Sequence, residues 1–545
     1  MLLNKPCLIV ATAAATLVIA LEPISTAQSA DNPGAQEMTR TRFLVLDSRI
    51  IDKVTGAKLT LGKVIKDKRN PLFSGDQPCE PNISNGFPNV IFDEQEKLYK
   101  CWYSPWIVCK ATTAIPREQR KYVPSLAGEE TSQGGESGKI PYIPNAVNSQ
   151  PLPRRESGVC YATSQDGIHW DKPELGIAEL NGSTNNNLVF TADTIPHMAI
   201  TSPDLKPSLN RGPHGVGVFK DVREPDPAKR YKMVFRDYAV TEPEEFFVSV
   251  AFSPDGLHWD AISCPETDAH GDTHNNAFWA PELGKYVLIT RLWDPGRCVG
   301  RCESADFVNW TKAENVLRGV YSMPVIRYAG IYLGLPAIYA GGGGRVHTEL
   351  AWSPDTVTWT RISPGKPLIA NAKEMGQYDW GCVYASRPIF GENEIRIYYM
   401  GDRQTHHSWR DSGLCLATLR PDGFAGYEPL ADNTPAVINT KPVVCSGQVL
   451  RISADVRGGG SIRVMLVDAD GKELAASHDL TSQPEKWKWN YEINTEYTDR
   501  KVEWTDDWDF SAMDGKEVRL RFELKNAKLY SFAFYAETKG GGSTP

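Results

Sequence analysis

The sequence predicts an all-β protein: a five-bladed β-propeller followed by a β-sandwich domain. Three observations predict it. First, Ser164-Gln165-Asp166-Gly167-Ile168-His169-Trp170 recurs as Ser253-Pro254-Asp255-Gly256-Leu257-His258-Trp259. Its Ser, Asp and Trp return in Ser304 to Trp310 and Ser353 to Trp359, and a degraded fifth copy runs from Leu419 to Phe424. Repeats at this spacing mark propellers and solenoids. Second, each copy follows three short runs rich in β-branched and aromatic residues, so the Asp-Gly turn leads into a fourth strand. Third, the repeat stops after about Leu430, where four alternating runs begin: Val449 to Val456, Ile462 to Val467, Val518 to Leu524 and Leu529 to Phe534. Period-two alternation over about 100 residues reads as a sandwich.

The blades follow in order. The first takes Phe87 to Phe92, Lys97 to Tyr103 and Gly158 to Thr163. The second takes Gly215 to Phe219, Tyr231 to Phe235 and Phe247 to Phe252. The third takes Asn276 to Trp279, Tyr286 to Thr290 and Cys298 to Cys302. The fourth takes Met323 to Tyr328, Ile331 to Leu335 and His347 to Trp352. The fifth takes Trp380 to Ala385, Ile395 to Tyr399 and Gly413 to Thr418. Ser164 and Asp166, with their counterparts, can accept from backbone N–H groups and fix the turn, Gly supplies a positive φ, and Trp packs between units. Two long insertions, 104–157 and 173–213, interrupt the pattern, and loops of that length are usually functional or disordered. The predicted organisation is therefore 1–29 signal peptide, 30–70 leader and first strand, 71–430 propeller, 431–540 sandwich and 541–545 disordered tail. The run Phe43-Leu44-Val45-Leu46 is expected to close the first unit.

Lys5, the apolar stretch Leu8 to Leu21 and Ala27-Gln28-Ser29 form the three parts of a secretory signal, too short for a spanning helix. A secreted or periplasmic location with no membrane span after cleavage is expected. Export permits disulfides. Ten cysteines would remain after loss of Cys7, with no C-x-x-C pair and no zinc-ligand spacing, so several are expected to be small buried hydrophobes. A net charge of −8 argues against nucleic acid as a partner. Fifteen Trp and 21 Tyr fit β-rich packing, and fit rings that stack on sugars.

The five repeated units, the Ser-x-Asp-Gly-x-x-Trp hairpins and the C-terminal sandwich resemble the five-bladed glycoside hydrolases around families 32, 43, 68 and 117, and the two-part layout is most like family 32. The stretch from Ala162 to Gly176 is similar to a first-blade hairpin of that group, and the hairpin also resembles the sialidase Asp-box of six-bladed propellers. The resemblance covers about residues 70 to 540 and implies an oligo- or polysaccharide substrate. The chain departs from family 32 at the catalytic motifs. Where that family has Asn-Asp-Pro-Asn-Gly, this sequence reads Glu80-Pro81-Asn82-Ile83-Ser84-Asn85-Gly86. Arg236-Asp237-Tyr238 only loosely echoes Arg-Asp-Pro, and no Glu-Cys acid motif opens the third blade. Invertase chemistry and its residue roles do not carry over.

In this topology the loops before the inner strands and the loops joining strands two and three share one face. They carry Glu80, Asp237, Asp272, Asp379 and His274 as candidate acids, bases or nucleophiles. The resemblance to family 117, where a His serves as acid, keeps His214 beside His274. Candidate substrate contacts are Trp102, His214, Arg236, Trp293, Arg297, Tyr321, Arg403, His406 and Arg410. The arginines point to carboxylate or sulfate, which a guanidinium binds through paired donors. An exposed Arg that only aids solubility, or an Asp that only caps a turn, is the plainer alternative for each. His270-Gly271-Asp272-Thr273-His274, if extended, would turn His270, Asp272 and His274 to one side. A hydrogen-bonded polar rim is favoured there over a metal site; no cofactor is expected, and an axial Ca²⁺ is not signalled. The expected activity is an exported glycosidase acting on an acidic, sulfated or anhydro-sugar glycan. The alternatives are a non-catalytic sugar-binding propeller or a polysaccharide lyase with His274 or Tyr321 as base.

Overall fold

The computed structural model describes residues 41–108, 155–195, 210–239, 245–264, 267–340, 344–406, 412–481, 495–505, 508 and 510–536. The expected signal peptide, the leader before Thr41, most of the first insertion and the tail lie outside the described residues. Among the described residues every long element is a strand, and no helix is long and apolar enough to cross a membrane. The sheets are arranged as in a propeller.

Three sheets have the repeated grammar without addition: four antiparallel strands in chain order. They begin at His214–Lys220, Asn276–Ala280 and Val325–Tyr328. Before them stands a six-stranded sheet, in which Asn82–Asp93 pairs with Leu98–Val108, which pairs with Val159–Ser164. Its outer strand, Leu188–Phe190, comes from within the second expected insertion. After them stands an eight-stranded sheet built on Cys382–Ala385, Ile395–Asp402 and Gly413–Leu419. Its outer edge is closed by Ile65–Lys66 and Phe73–Ser74 from the beginning of the chain, both antiparallel to Gly413–Leu419. Ring closure by an early strand removes a free edge. The run expected to close the first unit goes elsewhere: Thr41–Leu44 pairs with Glu517–Tyr535 of the C-terminal sheet. Its Leu44 and Leu46 then pack with the fourth and last repeated units, while Val45 joins the C-terminal core.

That C-terminal sheet has 11 strands and its own core around Ile452, Val464, Phe522 and Phe532. The four alternating runs of the sequence merge pairwise. Val449–Val467 and Glu517–Tyr535 are continuous and pair along their length, with a register shift between Val456 and Ser461 that absorbs Gly458, Gly459 and Gly460.

The recurrent hairpins behave as their chemistry predicts. Ser164 Oγ accepts from the Gly167 N–H at 2.8 Å, and Asp166 Oδ1 accepts from the N–H groups of Ile168 and His169 at 2.8 Å each. The fourth position is left-handed in every full copy: Gly167 at φ 74°, Gly256 at 81°, Phe307 at 69° and Thr356 at 67°. A side chain there costs about 1–2 kcal/mol, and both exceptions recover contacts. Phe307 is buried against Phe219 and Trp310. Thr356 Oγ1 accepts from Arg301 Nε at 2.7 Å. The turns also tie neighbouring sheets: Tyr398 Oη donates to the Gly167 carbonyl at 2.8 Å and Trp102 Nε1 to the Gly256 carbonyl at 2.7 Å. A Cβ at Gly256 would lie 2.6 Å from the Trp102 ring. Trp102 is therefore a wedge between the first two repeated units.

The fifth copy is out of step. Asp422, aligned with Asp166 by sequence, sits at φ 62°, the position that glycine holds in the first two copies. It is fully buried and gathers Arg42, Tyr328, Ser453 and Ser531 around its carboxylate. The last turn of the repeat has become the node that joins the repeated units to the C-terminal sheet.

Candidate active site

The axial face is built first by an unusual stretch of the innermost strand of the six-stranded sheet. Asn85, Gly86 and Phe87 are all left-handed, at φ 67°, 63° and 42°. The register with Leu98–Val108 shifts on both sides of Gly86, and the Met400 side chain fills the space a Cβ there would need. Consecutive left-handed residues store strain that a regular strand would not carry. The bulge delivers Asn85 Nδ2 to Tyr321 Oη at 2.8 Å and sets the Phe87 ring against His214 and His274.

Asp272 is the centre. Its side chain is 34% exposed, and Arg236 Nη1 bonds Oδ1 at 2.5 Å. His214 Nε2 lies 3.8 Å from Oδ1, and Arg291 Nη1 lies 4.0 Å from Oδ2. Burial opposes ionisation of Asp272, but Arg236 and then His214 and Arg291 outweigh it and hold the carboxyl below its ordinary range. Asp272 is thus a carboxylate, fit to act as a base or nucleophile rather than an acid. His214 stacks on Trp106, with ring centres 5.3 Å apart, and Arg236 lies 3.7 Å over the Phe246 ring. Packing on both groups fixes where they aim.

Gly271, at φ 66°, breaks the alternation expected for residues 270–274. The segment is a loop, so His270 and Asp272 stay partly exposed while His274 turns into the core. His274 Nε2 meets Asn89 Oδ1 at 3.0 Å. Burial, with Arg387 behind it, pushes the His274 pKa down to about 3. Burial and Arg236 bring His270 down to about 4, against the pull of Asp272. Both are neutral at pH 7, and His274 can neither reach a ligand nor donate a proton to one. The expectation that it serves as acid or base is corrected.

The structure does not bring the other three carboxylates to the surface beside Asp272. Glu80, Asp237 and Asp379 are each 0% exposed. Glu80 accepts from Tyr103 Oη, from Lys172 Nζ at 2.8 Å and from two backbone N–H groups, and so anchors its loop. Asp237 accepts from Ser249 Oγ at 2.7 Å. Asp379 holds Lys66 and accepts from Tyr399 Oη at 2.9 Å, pinning the closing strand. Each is buried against partners that lie 12 to 313 residues away along the chain, which local spacing does not reveal. Trp102, fully buried between sheets, is likewise not a substrate contact.

The opposite wall comes from the third repeated sheet. Arg291 and Trp293 stand two apart on Lys285–Trp293, and Arg297 pairs with Trp293 across the hairpin. Trp293 is 47% exposed. Arg291 lies 4.8 Å over the Tyr321 ring, and Arg297 lies 4.8 Å over Tyr339. Beside them His406 Nδ1 bonds Tyr384 Oη at 2.6 Å, and its ring centre is 4.6 Å from that of Tyr321. Arg403 is exposed; Arg410 lies outside the described residues. Asp272, His214, Arg236, Trp293, Arg297, Tyr321 and His406 are therefore on this face. Sequence reasoning missed Arg291, Phe246, Tyr339 and Tyr384. Arg291 had a signal: it is the one charge in the run Tyr286 to Trp293, on the same face as Trp293. Among the described residues no group of three His, Cys, Asp or Glu is placed to hold a metal ion, and the nine described cysteines are buried and unbridged.

The histidines give a pH signature. A buried base whose pKa is depressed on folding leaves the unfolded chain binding more protons below its ordinary pKa of 6.5, so stability falls as pH falls. The window for His274 runs from about 6.5 to about 3, at about 1.4 kcal/mol per pH unit for one such group. Urea titrations from pH 8 to 4 are expected to show a plateau above 6.5 and a decline below. In His274→Gln that decline should be shallower, and an equal slope would remove the assignment.

No family model and no curated protein matches the sequence. Several solved structures are similar. One is a glycosyl hydrolase from Bacteroides ovatus, 14% identical, TM-score 0.43, covering 68% of this chain and 97% of that one. A second belongs to the GH130 family of mannoside phosphorylases, with glycoside hydrolases that target β-1,2 mannosidic linkages in Candida mannan; it is 15% identical, TM-score 0.42, covering 68% and 97%. A third is an N-acetylgalactosamine deacetylase from F. plautii, 13% identical, TM-score 0.40, covering 67% and 96%. These neighbours process glycans by different reactions, and none of their activities transfers to this chain at such distance.

Proposed function

We propose that this protein is an exported glycosidase acting in the axial funnel on an acidic, sulfated or anhydro-sugar glycan. In this reading the six- and eight-stranded sheets are the first and last of five blades, and residues 431–540 form a docked β-sandwich. One observation carries the reading. An ionised, accessible carboxylate, Asp272, sits beside His214 in a funnel walled by Trp106, Trp293, Tyr321 and arginines. Aromatic rings offer faces for sugar stacking, and Asp272 with His214 is the acid/base couple, the carboxylate as base or nucleophile and the imidazole as proton donor. No cofactor enters this chemistry.

A second reading has its own support. Among the described residues Asp272 is the only one of the four candidate carboxylates that is accessible, whereas hydrolysis commonly uses two. The Tyr384–His406 pair next to Tyr321 and Arg297 suits a lyase, in which a base removes the proton beside a carboxylate neutralised by arginine. One panel separates the readings. The full chain is incubated with uronate-rich and sulfated polysaccharides, scoring both reducing ends and the absorbance of an unsaturated product. Reducing ends without absorbance support hydrolysis, and both together support elimination. Activity confined to plain fructans or sucrose overturns both, as does tight binding with neither product.

A further inference from the structure

Arginines do not share Asp272 equally. Arg236 takes it, bonding Asp272 Oδ1 at 2.5 Å. Arg291 is left with one long approach to Asp272, 4.0 Å, and a hydrogen bond from Nη2 to the Tyr321 carbonyl. Its Nε and Nη1 are buried with no hydrogen-bond partner, although the side chain is only 1% exposed. Arg297 Nε is buried and without a partner too, and no carboxylate among the described residues lies within ion-pair distance of Arg297. Among the described residues Arg291 and Arg297 thus have between them one carboxylate within ion-pair distance, Asp272 at 4.0 Å from Arg291, and His270, held neutral, adds nothing to the positive side. A buried charge with open donors costs free energy that the fold alone does not recover. The rings of Trp293, Tyr321 and Tyr339 hold both guanidiniums in place by their faces, at 4.8 to 5.9 Å, without neutralising them.

We propose that Arg297, with the buried charge of Arg291 beside it, forms an anion subsite on the third repeated sheet that receives the carboxylate or sulfate of a sugar residue, while Arg236 serves as the positioning residue of Asp272. The proposal rests on the glycan reading of the funnel and deepens it. It separates two jobs that the sequence assigned together. The half-buried guanidinium of Arg297 suits the oxygens of either anion, and the unneutralised charge of Arg291 adds to the attraction. Trp293, half exposed between the two arginines, offers its ring to the sugar that carries the charge. A neutral sugar would leave both guanidiniums unanswered, so the subsite selects by charge.

The test measures binding, not turnover, so it stands apart from which reaction the funnel performs. Calorimetry on the full chain uses three probes: glucuronate, galactose 6-sulfate and neutral glucose. At least one charged probe is expected to bind ten-fold or more tightly than glucose, with affinity falling as salt is raised. Which charged probe it is identifies the anion. Arg297→Gln, at a half-buried site, is expected to remove that preference, and Arg297→Lys to keep part of it. Arg318→Gln, on the outer strand of the same sheet and paired with Asp294 at 3.0 Å, is expected to keep all of it. Charged probes that bind no better than glucose overturn the subsite, even if the protein degrades a glycan. So does an Arg297→Gln protein that melts normally and still prefers the anion. If the preference is present but no polysaccharide is cleaved, the subsite stands and the glycosidase reading falls.

Discussion

Asp272→Asn is expected to lower kcat about a thousandfold, within the 10² to 10⁴ that a positioned acid/base group contributes, while leaving the fold intact and the affinity for an acidic glycan unchanged or higher. The split follows from the charges. Asparagine keeps the shape of the side chain and can still accept from Arg236, so little packing is lost. It removes the only accessible negative charge among the four candidate carboxylates, so an anionic substrate meets less repulsion and Arg291 has no competing partner. A thousandfold corresponds to about 4 kcal/mol of transition-state stabilisation. A carboxylate that merely held Arg236 in place would give another pattern, with melting temperature and affinity falling together and kcat modestly reduced. Asp237→Asn is the comparison. Its carboxylate is fully buried against Ser249, so the loss should appear in stability rather than in kcat. Full turnover by Asp272→Asn would dismiss the site as drawn.

The contrast between those two aspartates measures what the sequence could tell. Strand order was legible, because the Ser-x-Asp-Gly-x-x-Trp turn is made by groups within three residues of each other and needs no distant partner. Strand order in turn says which loops should lie together, and Asp272, His214, Arg236, Trp293, Arg297, Tyr321 and His406 form one connected cluster through Arg291 and His270. Depth was not legible. Whether a carboxylate beside an inner strand is exposed or buried depends on partners distant in sequence, here Lys172 for Glu80 and Lys66 for Asp379. Local backbone misled twice in the same way. Gly271 turned the chain so that Asp272 and His274 part, and the shift at Asp422 moved an apparent turn residue into the core. Arg291 was overlooked because it lies within a strand rather than a loop, where an arginine reads as an outward-facing charge until the ring of Tyr321 is seen beneath it.

Asp422→Ala is expected to destabilise the folded chain by about 3–5 kcal/mol, the cost of removing one partner from a buried ion pair. Its carboxylate has no access to water and accepts from Tyr328 at 2.5 Å, Ser453 at 2.8 Å and Ser531 at 2.6 Å, besides pairing with Arg42. Those partners come from the fourth repeated sheet, the C-terminal sheet and its strand from the beginning of the chain, so one side chain bridges segments far apart in sequence. Alanine leaves three hydroxyls and a guanidinium with one less acceptor, and Arg42 keeps only Asp499, at 2.7 Å, as a carboxylate partner. Asp166→Ala, in an exposed first copy of the same turn, loses only local caps and should cost about 1 kcal/mol. A double change to Arg42→Met with Asp422→Leu should recover part of the loss, because apolar residues of similar size can replace a buried pair at little cost. Urea unfolding followed by Trp fluorescence and by far-ultraviolet dichroism reads all three. An Asp422→Ala protein within 1 kcal/mol of the parent would show that the two parts of the molecule are held by their apolar contacts alone, and that the out-of-step fifth copy is a remnant of the repeat rather than its fastening.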